Sequence, residues 1–209
     1  LGEYAVMGIR MAVEEINAAG GLLGRQLDVV SEDSVNPQVA ATKAQRMIER
    51  DGVVLLMGEI NSASALTISQ VAARYKKLFL SIGARSDVLR GKNCNRYTFH
   101  VDIPVTVMVN AAGQALLRDN LVKGKRVYSL TADYLFGHDL AKAAKNFYTA
   151  NGGVQIGDEL VATDVTDFSP YLLKIRQARP ELVSTNLAGN QVTNFVKQYA
   201  EFGLPYPVA

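Results

Sequence analysis

Helical and strand patterns alternate along nearly the whole chain, which predicts an α/β fold with parallel sheets. Three observations carry that prediction. Apolar residues recur at helical spacing in residues 3–19 (Tyr4, Met7, Met11, Ile16). Short, wholly apolar runs such as residues 53–57 separate successive helical stretches. Pro104 then divides the pattern into two series of the same kind. The predicted architecture is therefore two Rossmann-like lobes with parallel sheets joined by a hinge, residues 1–103 and residues 104–209.

Each element has its own local signal. Gly20-Gly21 closes the first helix as a C-terminal cap, and residues 26–30 read as a strand. Asn36-Pro37 supplies an N-cap and a proline at the first helical position, opening a helix that reaches Asp51-Gly52. Residues 53–57 lack alternation, as expected of a parallel strand covered on both faces. Residues 64–76 are helical, 78–81 form a second buried strand, and 97–101 a strand leaving this set. After Pro104 come a helix over 105–118, a strand at 127–131, a helix over 138–150 and a strand at 154–162. Ser169-Pro170 repeats the cap-and-proline start for a helix to residue 178. A strand at 182–187, a helix over 191–202 and the start of a strand at 206–209 complete the series. A βα fold places a strand before its first helix, so further residues are expected at both ends.

Composition narrows the function classes. A chain of 209 residues fits one large domain or two small ones, and 48% hydrophobic with 20% charged residues is ordinary for a globular core. The net charge is +2 and the charges are scattered, with no nucleic-acid arm or polybasic patch. No run approaches the ~20 apolar residues of a membrane span. Cys94 is the sole cysteine, which excludes an internal disulfide and a CxxC site.

Catalytic motifs are missing. Gly20, Gly21 and Gly24 follow a helix rather than joining a strand to one, and Gly124 precedes Lys125 and a strand, the reverse of a phosphate loop. There is no G-x-S-x-G elbow. Only His100 and His138 are present, far apart and without a carboxylate at metal-ligand spacing. His138 and the acidic pairs Glu14-Glu15 and Glu32-Asp33 read as solvated surface. No cofactor, metal or enzymatic activity is implied.

What remains is a set of small polar residues just past the apolar strands. Residues 58–64 put Asn61, Ser62 and Ala63 at a helix start, where hydroxyls and backbone N–H groups suit a carboxylate. Residues 81–86 include Gly83 and Arg85; residues 133–137 include Tyr134 and Phe136; residues 186–190 begin with Asn186. His100 ends its strand, facing either a ligand or a hydrogen-bond partner at a lobe junction. Open α/β sheets bind ligands beyond their strand ends, so four such clusters point to a binding site.

The run Val13-Glu14-Glu15-Ile16-Asn17-Ala18-Ala19-Gly20-Gly21, then Gly24-Arg25-Gln26-Leu27 and Glu32-Asp33, resembles the opening of type I periplasmic solute-binding proteins, the leucine/isoleucine/valine-binding proteins of ABC importers and their relatives. Asn36-Pro37, residues 58–64, Cys94-Asn95-Arg96-Tyr97-Thr98-Phe99, Tyr134-Leu135-Phe136-Gly137, Thr166-Asp167-Phe168-Ser169 and Phe202-Gly203-Leu204 follow the same order. The resemblance implies a periplasmic or lipid-anchored protein that captures a small ligand in a hinged cleft and delivers it to an ABC permease in the membrane. It implies that Ser62 binds the ligand carboxylate, that the Gly83 carbonyl receives a ligand ammonium, and that Phe136 lines the cleft. Amino-acid binders carry a small hydroxyl residue where this chain has Arg85. An arginine fork there favours a carboxylate without an amino group, such as an aromatic acid held against Tyr134 and Phe136. The alternatives are a branched-chain or other amino acid, with Arg85 turned outward, or the ligand-sensing domain of a receptor or regulator.

Overall fold

The computed structural model describes residues 2–209. The chain divides into two compact units, one ending at Ile103 and one spanning Pro104–Ala209.

In the first unit, α1 (Gly2–Ala18) is followed by α2 (Pro37–Glu49), β1 (Leu55–Gly58), α3 (Ser62–Tyr75), β2 (Leu78–Ser81), a 3-10 turn (Asp87–Leu89) and β3 (Thr98–His100). The three strands form a parallel sheet in sequence order. Asn36 caps α2 by accepting the Val39 N–H at 2.9 Å, as its sequence position predicts. Ala44 and Ile48 of α2 meet Ala65, Val71 and Ala72 of α3, and Leu56 and Phe79 of the sheet complete this core. The alanines keep the two helices close. Phe79 is fully buried, and truncating such a side chain to alanine costs roughly 3–5 kcal/mol.

Two expectations for this unit fail. Residues 53–57 were predicted to be covered on both faces, yet Leu55 and Met57 are exposed together with Leu78 and Phe99. The buried core residues of α2 and α3 cluster with Leu56 and Phe79, on the opposite sheet face from Leu55 and Met57, and α1 buries none of its side chains. Residues 26–30 do not form a strand either. They lack a neighbouring strand, and only Asn17 imitates one: its Nδ2 donates to the Leu27 carbonyl at 2.9 Å and its Oδ1 accepts the Leu27 N–H at 2.8 Å.

The second unit contains α4 (Val105–Arg118), β4 (Arg126–Ala132), α5 (Leu135–Ala150), β5 (Val154–Val161), α6 (Ser169–Ala178), β6 (Leu182–Asn186) and α7 (Asn190–Phe202). Its sheet is parallel in the order β5-β4-β6, so β4 is central and all but its first residue are buried. One face of β4 (Tyr128, Leu130, Ala132) packs on Phe168, Leu172, Ile175, Phe195 and Tyr199 of α6, α7 and their approach. The other meets Ala144, Phe147 and Tyr148 of α5 through Val127. This strand, unlike β1, is covered on both faces. Residues 206–209 lie along β6, where the Val183 N–H donates to the Pro207 carbonyl at 2.9 Å and the Thr185 N–H to the Ala209 carbonyl at 2.7 Å.

The α6 start differs from the sequence reading. Ser169 is the first helical residue, not the cap, and its side chain caps nothing. Asp167 instead accepts the Ser169 N–H at 2.9 Å, and this bonding holds the Asp167 carboxyl below its usual range. A carboxylate is the stronger acceptor and lies at the positive end of the helix dipole.

Candidate ligand-binding site

The β1–α3 turn is built from short-range hydrogen bonds. Asn61 is the N-cap of α3, and its Oδ1 accepts the N–H groups of Ala63 (2.9 Å) and Ser64 (3.1 Å). Glu59 turns back so that its Oε1 accepts the N–H groups of Ile60 (2.9 Å) and Asn61 (2.7 Å). Helix α3 therefore starts two residues earlier than predicted, and the donors expected to await a carboxylate at Ala63 and Ser64 are taken by Asn61. Ser62 is fully buried, and its Oγ accepts the Ser86 N–H at 3.3 Å. That bond joins the β1–α3 turn to the loop after β2.

The loop after β2 continues the ladder, with the Ile82 N–H donating to the Gly58 carbonyl at 3.1 Å and the Gly83 N–H to the Glu59 carbonyl at 3.2 Å. A Cβ on Gly83 would lie 3.0 Å from Ile60 Cγ1, so glycine permits the close approach of the two loops. Arg85 is engaged within its own unit: its Nε donates to Asp102 Oδ2 at 2.6 Å. Both side chains keep partial exposure. Asp102 carries no signal in the sequence, because its partner lies seventeen residues away with no periodic spacing.

His100 faces Ser81 across the β2–β3 register. His100 Nδ1 and Ser81 Oγ are both buried and have no hydrogen-bond partner among the described residues. Burial, and then the positive charge of Arg90, push the His100 imidazole below its ordinary pKa, against a hydrogen bond to the Leu89 backbone that raises it.

In the second unit, Tyr134 is the N-cap of α5 and Phe136 lies in its first turn, which begins three residues earlier than predicted. No side chain caps this helix. The two rings lie 6.0 Å apart, tilted by 36°, and burial raises the Tyr134 phenol pKa. A Cβ on Gly137 would fall 2.0 Å from the Ala132 carbonyl oxygen, so glycine is required for α5 to start this close to β4. His138 Nε2 lies 2.9 Å from Asp133 Oδ1, both exposed. Asn186 is buried within the sheet: its Nδ2 donates to Thr131 Oγ1 at 3.2 Å, and Thr131 donates to Asp158 Oδ1 at 2.7 Å. That three-member chain fixes β6, β4 and β5 to one another and was not legible from the sequence. Among the described residues no group of His, Cys, Asp and Glu is arranged to hold a metal ion, and no helix is long and apolar enough to cross a membrane.

Within the first unit, then, Asn61, Ser62, Ala63, Gly83, Arg85 and His100 occupy the carboxyl ends of three adjacent parallel strands. Tyr134 and Phe136 do the same at the end of β4 in the second, while Asn186 serves the sheet itself.

The comparisons with known proteins agree with this architecture. A crystal structure of a periplasmic binding protein from Burkholderia mallei is similar, with a TM-score of 0.90 and 33% identity, covering 98% of this chain and 54% of that chain. An amino acid ABC transporter substrate-binding protein from Pseudomonas fluorescens Pf-5 gives a TM-score of 0.88 and 29% identity, covering 99% of this chain and 55% of that one. Leu/Ile/Val-binding protein homolog 4 of Brucella abortus is 27% identical over 203 residues, 91% of this chain and 47% of its own length. The chain thus spans about half the length of the curated relatives it matches. The sequence profile of the periplasmic binding protein family matches residues 1–209 from end to end. With that match, the parallel-sheet units and the strand-end polar clusters, the chain belongs to the periplasmic binding protein family, in its type I form.

Proposed function

We propose that this chain forms part of the solute-binding component of an ABC importer, located outside the cytoplasmic membrane, that captures a small organic carboxylate and passes it to a permease. The observation that carries this reading is the convergence of Ser62, Gly83 and Arg85 at adjacent strand ends, tied together by the Ser86 N–H to Ser62 Oγ bond. A serine hydroxyl and an arginine guanidinium at the carboxyl ends of adjacent strands suit a carboxylate. Family membership supports binding rather than catalysis.

Within that class an aromatic acid is the first reading, supported by the Tyr134–Phe136 ring pair and by the arginine at position 85. An aliphatic amino acid is the second, and Asp102 favours it. Its carboxylate neutralises Arg85, which lessens the repulsion that a bare guanidinium would exert on an α-ammonium group. A thermal-shift screen of the full-length protein against aromatic acids, short aliphatic acids and amino acids tests the function. A ligand at a hundred times its dissociation constant stabilises by about 2.7 kcal/mol. Carboxylate-dependent stabilisation supports the reading, and no shift with any member of the three sets contradicts it.

A further inference from the structure

We propose that Arg90 is a positioning residue for the first-unit ligand site, bracing the loop that carries Gly83 and Arg85 without touching ligand itself. This inference rests on the carboxylate-binding reading above. Arg90 immediately follows the 3-10 turn Asp87–Leu89, which is anchored by Leu89 in the α2–α3 core. From that fixed base its guanidinium donates to three backbone carbonyls. Nη1 reaches Ala84 O at 3.3 Å and Ser86 O at 3.4 Å, and Nη2 reaches Asp102 O at 2.6 Å.

The two loop carbonyls belong to the residues on either side of Arg85. Pinning both fixes the backbone from which the Arg85 side chain departs. Asp102 is gripped twice, its carbonyl by Arg90 and its carboxylate by Arg85 Nε at 2.6 Å. The four groups close a ring: Arg90 to the loop, loop to Arg85, Arg85 to Asp102, Asp102 back to Arg90. Removing Arg90 frees the loop and the segment after β3 together, so Arg85 loses both its backbone position and the fixed site of its partner. The planar fork matters, because a lysine ammonium at the end of a flexible stem is a point charge that does not span two separated backbone segments.

The test is a double-mutant cycle on the full-length protein with benzoate and leucine as probes, read by calorimetry, alongside amide hydrogen exchange. Arg90→Lys, with unchanged circular dichroism, is expected to weaken binding of the probe that wild type binds by about tenfold. In an Arg85→Ala background the same change is expected to cost less than about twofold, because Arg90 acts through Arg85. Exchange at residues 84–86 and 102–103 is expected to accelerate while α3 amides keep their rates. Arg90→Gln replaces Arg90→Lys if the lysine variant fails to fold. Equal losses in both backgrounds, or unchanged exchange in the loop, overturn the brace while leaving the binding function standing. Wild type binding neither probe, with the loop still loosened in Arg90→Lys, removes the carboxylate reading and with it the brace's role in affinity.

Discussion

Ser62 and Asn61 sit side by side, yet the structure gives them different work. Asn61 is a helix cap, so Asn61→Ala is expected to cost about 1 kcal/mol of stability, the usual value for losing an N-cap, measured by urea unfolding. Ser62 joins two strand-end loops, and Ser62→Ala is expected to weaken ligand binding by about 1–3 kcal/mol, the range for a hydrogen bond to a charged group. Unchanged affinity in that variant argues against a carboxylate at this turn. His100 makes stability pH-dependent. Its imidazole is held below the ordinary value of about 6.5, so just below that pH the unfolded chain takes up the proton before the folded one does. Stability from this group is therefore present above about pH 6.5 and lost as pH falls through the lowered folded value. Urea midpoints are expected to drop across that window in wild type and to drop less in His100→Gln; identical profiles contradict the assignment.

At the scale of elements, α5 depends on one glycine. Gly137 brings its first turn against the end of β4, and a methyl group there would overlap the Ala132 carbonyl. Gly137→Ala is expected to destabilise the second unit by about 1–3 kcal/mol, as overpacking a fitted contact does, visible as a lower thermal midpoint. The helices and strands of this unit were legible in the sequence because extended and helical patterns alternate cleanly along it, even though the buried β4 carries Ser129 and Thr131 among its apolar residues. The first unit was less legible. Residues 26–30 carry a strand-like pattern but no strand lies beside them, and pairing is a property that periodicity does not encode. The helix starts moved for a related reason. At α3 the cap is a side chain three residues before the predicted start, and at α6 Asp167 accepts the N–H of Ser169, which is itself the first helical residue. For the candidate site, Ser62, Gly83 and Arg85 were legible from strand-end position and family order, whereas Asp102 and Arg90 were not. Asp102 bonds a guanidinium distant in sequence and Arg90 bonds backbone carbonyls, and neither leaves a motif.

At the scale of the whole molecule, the proposed function gives the polar groups at the strand ends one task, to hold a small organic carboxylate. Family membership supports solute binding, and the Ser62 hydroxyl and the Arg85 guanidinium support a carboxylate as the group the proposed solute presents. Isothermal calorimetry on the full-length protein with benzoate, leucine and the neutral amide of each tests the claim most directly. The account predicts saturable heat with at least one of the two carboxylates and a large loss of affinity for its amide. Equal binding of acid and amide, or no heat from either acid, would contradict it.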